Sequence, residues 1–233
     1  VTPLLRLFDG HLPKLVMFDL DGTLLDSVPD LAAAVDSMLL QLGRPAAGAT
    51  RVRNWVGNGA RVLVRRALAG GLEHTEVAEE LADQAHQLFL RAYAGSHALS
   101  TVYPGVRECL DWLQTQQVPM ALVTNKPNQF VIPLLLEKGM AGYFRWTLGG
   151  DSLPQQKPDP AGLLWVMQQA RVLPAQALFV GDSRNDVLAA RAAGVACVAV
   201  SYGYNHGRPV SAENPQLLVS DLRQLVDSAG ALG

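Results

Sequence analysis

The sequence predicts an α/β fold in which a parallel sheet with helices on both faces carries an inserted helical cap. Two observations lead there. From Tyr103 to Val200, short apolar strand segments alternate with helical segments, the pattern of parallel strands joined by crossover helices in a Rossmann-like core. The first apolar segment, Leu15 to Phe18, stands apart from that series across residues 27–98, which hold helical spacing and no clear strand. The simplest arrangement threads 27–98 out of the sheet after strand one, giving a catalytic core of residues 1–26 and 99–233 and a cap domain of 27–98.

In chain order, Leu15 to Phe18 reads as a buried strand that ends abruptly in acidic residues and glycine. Ser27 can cap a helix through about Leu42, with Val28, Leu31, Val35, Met38 and Leu39 on one stripe, Pro29 tolerated in the first turn and Gly43 and Pro45 stopping it. Two further helical patterns follow, one through Val52, Trp55, Leu63 and Ala67, the other through Val77, Leu81, Ala85 and Phe89. Next come a helix near 105–117, a strand at Met120 to Thr124, a helix near 129–138 and a strand near Arg145 to Leu148. The series closes with a helix near 160–170, a strand at Leu178 to Val180, a helix near 186–193 and a strand at Ala196 to Val200. Pro133 falls inside the helix near 129–138 and predicts a kink or a later start, because it cannot donate a backbone hydrogen bond.

Composition narrows the function. The chain has 233 residues, 49% hydrophobic and 17% charged, which excludes disorder, collagen-like repeats and a disulfide-stapled miniprotein. Nineteen Lys plus Arg against 21 Asp plus Glu exclude the broad cationic surface that grips nucleic acid, while leaving room for a small anionic ligand. Cys109 and Cys197 are too few for a disulfide framework or a thiolate metal cluster and read as core residues of a reducing compartment. No run reaches the length of a membrane helix, and Val1 to Gly10 lacks the features of a signal peptide. A cytoplasmic protein without membrane or nucleic-acid partners is expected.

In a parallel sheet, ligands bind beyond the carboxyl ends of the strands. Four polar sets fall there. Asp19 and Asp21 lie two positions apart after strand one and point to the same side by strand alternation, suiting a metal ion or paired nucleophile and acid/base roles. Thr124 and Asn125 offer a hydroxyl and a backbone amide for a phosphate oxygen. Lys157, held extended by Pro158, reaches in from a loop. Asp182 and Asp186 close the edge with two more carboxylates, and such hard oxygen ligands favour magnesium over zinc. Any one of these sets alone reads as ordinary surface polarity; convergence of all four on one edge by accident does not.

The stretches DLDGTLLDS (19–27), VTN (123–125), Lys157 and GDSRND (181–186) together resemble the haloacid dehalogenase-like hydrolase superfamily, in order and over nearly the whole chain. Residues 27–98 then look like the helical, C1-type cap that this family inserts after its first motif. RNWVGNGARVLVRRAL (53–68) and YGYNHG (202–207) resemble the bacterial phosphoglycolate phosphatase branch. The resemblance implies that Asp19 attacks phosphorus to form an aspartyl-phosphate, and that Asp21 protonates the leaving alkoxide and then deprotonates water. Mg²⁺ is expected on Asp19, the Asp21 carbonyl and Asp182. Thr124, Asn125 and Lys157 hold the phosphate, and Asp186 orients the metal site from behind its ligands. The implied substrate is 2-phosphoglycolate, a small anionic phosphomonoester, and the protein a monomer or homodimer.

The same residues leave alternatives open. An acid at Asp21 favours phosphatases over the carbon-attacking dehalogenases, and the absence of lysine from 27–98 excludes the Schiff-base phosphonoacetaldehyde hydrolases. A sugar-phosphate phosphatase, a phosphosugar mutase and a non-catalytic sensor of a phosphometabolite stay open. Gly57-Asn58-Gly59 lacks a preceding strand and is no dinucleotide fingerprint; it is either a substrate-specificity loop or a simple helix break. Arg53, Arg61, Arg65 and Arg66 are solvated charges with at most one meeting a substrate carboxylate. The five histidines show no ligand spacing, and Trp55 reads as packing. Hinges between cap and core are expected near Ser27 and Ser96 to Ser100.

Overall fold

The computed structural model describes residues 1–95 and 97–227. Helix α1 (Pro3–Leu7) and strand β1 (Leu15–Phe18) precede a two-residue strand, β2 (Leu25–Asp26). Four helices follow: α2 (Val28–Gln41), α3 (Ala49–Trp55), α4 (Ala60–Ala69) and α5 (Glu79–Tyr93). Strand β3 (Thr101–Val102) brings the chain back, and α6 (Val106–Thr115), β4 (Met120–Val123), α7 (Asn128–Glu137), β5 (Phe144–Leu148), α8 (Ala161–Ala170), β6 (Ala177–Gly181), α9 (Arg184–Ala193) and β7 (Ala196–Val200) alternate. Strand β8 (Leu217–Val219) and helix α10 (Arg223–Val226) complete the described chain.

Six strands form one parallel sheet in the order β5-β4-β1-β6-β7-β8. Strand β1 lies between β4 and β6, strands that follow it by about a hundred residues or more, which is why no partner for it is visible nearby in the sequence. Its side chains alternate between two cores. Val16 and Phe18 pack with α6 and α7, while Leu15 and Met17 pack with α8 and α9. A third apolar cluster joins Val35, Met38, Leu63, Val64, Phe89 and Tyr93 of α2 to α5 and takes in Phe130 of α7 and Tyr204 from the sheet side. Truncating a fully buried anchor such as Phe18 in such a core costs about 3–5 kcal/mol.

Strands β2 and β3 pair antiparallel, Leu25 with Val102 and Asp26 with Thr101, so the segments leading into and out of the helical block form a two-stranded ribbon. Beside it the Asp30 carboxylate at the start of α2 accepts from the Ser100 amide (2.6 Å), the Ser100 hydroxyl (2.5 Å) and the Leu99 amide (3.2 Å). Of the segments expected to act as hinges, Ser96 lies outside the described residues, and Ser27 and Ser100 are buried.

Local departures from the sequence reading have physical reasons. Ser27 occupies the N-cap position of α2 but its side chain makes no cap bond. The Tyr204 hydroxyl takes that place, accepting from the Ser27 and Val28 amides at 3.1 and 3.4 Å. Helix α7 starts at Asn128 and runs through Pro133, neither delayed nor ended by it. The pattern through Val52 to Leu68 divides into α3 and α4, because Gly57 and Gly59 adopt positive φ angles of 125° and 83°. Strands β2, β3 and β8 and helices α1 and α10 are too short to carry a periodic signature.

Candidate active site

The seven residues singled out at strand ends meet at the carboxyl edge of β1, β4 and β6. Asp19 leaves β1 with its amide bonded to the Val180 carbonyl of β6 (2.9 Å). The chain then turns tightly: the Leu20 carbonyl accepts the amides of Thr23, Leu24 and Leu25, and Gly22, at φ 87°, passes against Asp182 so closely that a Cβ there would overlap that carboxylate. Gly203 approaches Asp182 from the other side under the same restriction.

Lys157 sits at the centre of one half of the site, buried, with Nζ 2.8 Å from Asp19 Oδ1 and 2.7 Å from Asp186 Oδ1. Its peptide bond to Pro158 is cis, and its backbone is fixed by the Asn125 side chain, which accepts from the Lys157 amide (3.0 Å) and donates to the Lys157 carbonyl (2.8 Å). Asp186 is saturated on its other oxygen, Oδ2, which accepts from the amides of Asp182 and Ser183 (both 3.0 Å) and the Ser183 hydroxyl (2.8 Å). Asp182 accepts from the Thr23 hydroxyl (2.9 Å) and the Tyr204 amide (2.5 Å).

Carboxylate oxygens of Asp19, Asp182 and Asp186 lie within 4.8 Å of one another. Burial pushes Asp19 up to about 7 against the pull of Lys157, and burial together with the Asp186 charge raises Asp182 well above the usual carboxylate range. Burial works against the Lys157 ammonium too, yet Asp186 and Asp19 hold it raised. Asp19 and Asp182 are raised chiefly by burial, and Lys157 is raised because two carboxylates, Asp19 and Asp186, hold it. Fully ionised, the cluster has two surplus negative charges, the charge of one divalent cation. Asp19 Oδ1 also lacks a partner in hydrogen-bond geometry. Asp186 accepts from four donors, three of them on Oδ2, whereas Asp182 accepts a single donor on each oxygen, so Asp19 and Asp182 are the side chains that keep lone pairs for a hard cation such as Mg²⁺.

The other half of the site contains a residue that the sequence reading passed over. Lys126 is buried, with Nζ 3.0 and 3.2 Å from the two oxygens of Asp21 and 4.6 Å from the centre of the Tyr93 ring. Burial opposes its charge, but Asp21 and Tyr93 together outweigh that and hold Lys126 raised. Thus Asp19 and Asp21, adjacent on one loop, each face a lysine of their own. The only sequence signal for Lys126 was its place directly after Thr124 and Asn125, a position where a buried cation and a solvated one look alike. Thr23 and the Tyr204 amide were also passed over as partners of Asp182.

A cavity opens beside Asp21, Thr124 and Lys126 and is walled mainly by Leu31, Val56, Leu63, Phe89 and Phe130. Gly57 and Gly59 also line it, and the Gly57 carbonyl accepts from the side chains of Asn125 and Asn185, each at 3.0 Å. The glycine loop is thus both a helix break and a wall of the cavity. None of Arg53, Arg61, Arg65 and Arg66 lines it. Arg53 donates to the Tyr202 and Gly203 carbonyls, Arg61 pairs with Glu79 and Asp83, Arg65 pairs with Glu79 and donates to the Val77 carbonyl, and Arg66 donates to the Trp55 carbonyl.

Residues 16–200 match the haloacid dehalogenase-like hydrolase family. The chain belongs to this family. Among its curated relatives, a phosphoglycolate phosphatase of Pseudomonas putida is 66% identical over 221 residues, covering 95% of this chain and 81% of its own. Phosphoglycolate phosphatase 1 of Pseudomonas aeruginosa is 64% identical over 222 residues, covering 95% and 82%. A crystal structure described as a predicted phosphoglycolate phosphatase from Haemophilus somnus superposes with a TM-score of 0.85 at 38% identity, covering 91% of this chain and 96% of that one. The haloacid dehalogenase-like fold thus extends over both the sheet and the helical block. Among the described residues, no helix is long and apolar enough to cross a membrane.

Proposed function

We propose that the chain is a magnesium-dependent phosphatase that hydrolyses 2-phosphoglycolate to glycolate and phosphate. The observation that carries this reading is the buried Lys157 bridging Asp19 and Asp186, with Asp182 beside them and Thr124 and the Asn125 amide at the neighbouring strand end. That is a site with a fixed nucleophile and a fixed cation for a phosphoryl group. The phosphoglycolate phosphatases that share about two thirds of its residues support the substrate.

Asp19 attacks phosphorus, the bond to the ester oxygen breaks, and Asp21 gives its proton to the departing alkoxide. Asp21 then takes a proton from water, whose oxygen displaces Asp19 from phosphorus and releases phosphate. Lys157 and the Thr124 hydroxyl hold the non-bridging oxygens, while Asp186 fixes Lys157 from behind. Asp19, Asp182 and the backbone carbonyl of Asp21 would hold Mg²⁺, which would supply the positive charge that lets a carboxylate approach a phosphate dianion. Residues 27–98 act as the cap, shedding water from the site when docked through Gly57 and opening about the β2–β3 ribbon for exchange.

Phosphate release with Mg²⁺ across 2-phosphoglycolate, sugar phosphates and phosphoserine, with Asp19→Asn as the blank, tests the reading. A kcat/KM for 2-phosphoglycolate at least about tenfold above the others is expected, a modest demand for a site that pairs a substrate charge. A flat profile or a preference for a sugar phosphate would remove the substrate assignment.

A further inference from the structure

The geometry points to Lys126, assisted by the Tyr93 hydroxyl, as the residue that selects the substrate by binding a carboxylate one carbon beyond the ester oxygen. This deepens the phosphatase reading and rests on it for the position of the reacting phosphate. With phosphorus placed between Asp19 and the Thr124–Lys157 side, the ester oxygen faces Asp21, which delivers its proton. The rest of the substrate must then extend past Asp21 into the apolar cavity.

What waits there is Lys126. Its Nζ is 3.0 Å from Asp21, so a carboxylate separated from the ester oxygen by a single methylene reaches the same ammonium. Among the described residues lining the cavity, Lys126 is the only cation. The arginines of the helical block, which the sequence offered for this task, are turned to protein carbonyls and carboxylates instead. An ammonium has three donors, and Asp21 is the one anion on Lys126, which leaves capacity for a second acceptor.

Tyr93 provides an independent sign. It lines the same cavity and is 1% exposed, yet no partner meets hydrogen-bond geometry at its hydroxyl, although the Lys126 ammonium is near enough to act on it both as a charge and as a donor. A buried unpaired hydroxyl costs stability and marks a place where a ligand atom completes the bonding. A carboxylate offers acceptors to both groups. On the remaining wall the Asn125 side chain and the Gly57 carbonyl are bonded to each other and Asn125 Oδ1 to the Lys157 amide, and Leu63, Phe89 and Phe130 are hydrocarbon, so the hydroxyls of a sugar would be stripped of water without replacement. The inferred class is therefore a short phosphomonoester with a carboxylate on the carbon bearing the ester oxygen, and not a polyol phosphate.

The test compares 2-phosphoglycolate with ethyl phosphate, which has the same two-carbon chain and no carboxylate. For the wild type, Lys126→Met and Tyr93→Phe, the ratio of the two kcat/KM values is measured, so that any general loss through Asp21 cancels. The ratio should fall roughly 100-fold in Lys126→Met, the scale for removing one partner of a buried charge pair, and about fivefold in Tyr93→Phe. Calorimetric binding of the same two esters to Asp19→Asn, with and without Lys126→Met, gives a readout that does not need turnover. A preference for the carboxylate ester lost with Lys126 supports the inference even if the wild type releases no phosphate, a result that would sink the phosphatase reading alone. A ratio kept within threefold in Lys126→Met, or equal loss on both esters, overturns the inference while leaving the phosphatase reading intact. Should Lys126→Met fail to fold, Tyr93→Phe and Lys126→Gln carry the same comparison.

Discussion

The strand edge and the helical block face one cavity and contribute opposite chemistry to it. The edge supplies Asp19, Asp21, Lys126, Lys157, Asp182 and Asp186, every charge in the site, each fixed by a buried partner or a backbone amide. The block supplies hydrocarbon, a glycine loop, the Gly57 carbonyl and the uncharged Tyr93 hydroxyl. Its own charges are spent internally, as in the Arg61–Glu79–Asp83 and Arg65–Glu79 pairs. The contrast teaches that electrostatic preorganisation belongs to the parallel sheet, where strand ends converge by construction, while the block shapes and dries the space.

If that division is right, damage should be graded by region. Asp19→Asn should lower turnover by about 10⁴-fold or more without unfolding the chain, as circular dichroism and phosphate release would show together; appreciable residual activity would break the comparison at its strongest point. Lys157→Met should cost about 10²- to 10³-fold in kcat/KM. It should also destabilise the protein by about 3–5 kcal/mol in denaturant titration, because two buried carboxylates lose their cation. Asp182→Ala should weaken Mg²⁺ binding by at least about 30-fold, and an unchanged calorimetric titration would remove Asp182 from the metal. Asn185→Ala takes one of two donors from the Gly57 carbonyl and should raise KM about fivefold. At the far end, Arg61→Ala should leave kcat/KM within about twofold, since its pairs are exposed; a tenfold loss would mean that the block carries substrate charge after all.

The sequence was most readable where strands end. Four separated sets of polar residues could be placed on one edge because parallel alternation fixes the edge before any contact is known, and the family resemblance then assigned roles. Lys126 was missed because the turn after β4 was read for its hydroxyl and amide alone, and only the packing of Tyr93 from α5 shows that the lysine beside them is buried. Arg53, Arg61, Arg65 and Arg66 were suggestive for the converse reason: their partners, such as the Gly203 carbonyl for Arg53, lie up to 150 residues away. Ser27 looked like a cap by local rules, yet Tyr204 reaches over from 177 residues on to do the capping. Helical spacing and strand periodicity are local quantities; burial of a charge is a property of whatever the rest of the chain brings against it.

The β2–β3 ribbon carries a further consequence. Asp26 and Thr101 are partners on one rung, so the point where the chain leaves the sheet and the point where it returns are neighbours. A short turn from one to the other would close the chain with little loop entropy to overcome. The helical block is in this sense a graft on a hairpin stem: an exchange of everything between the two rungs would leave β1 seated between β4 and β6, and a different set of walls could be presented to the same row of carboxylates and lysines.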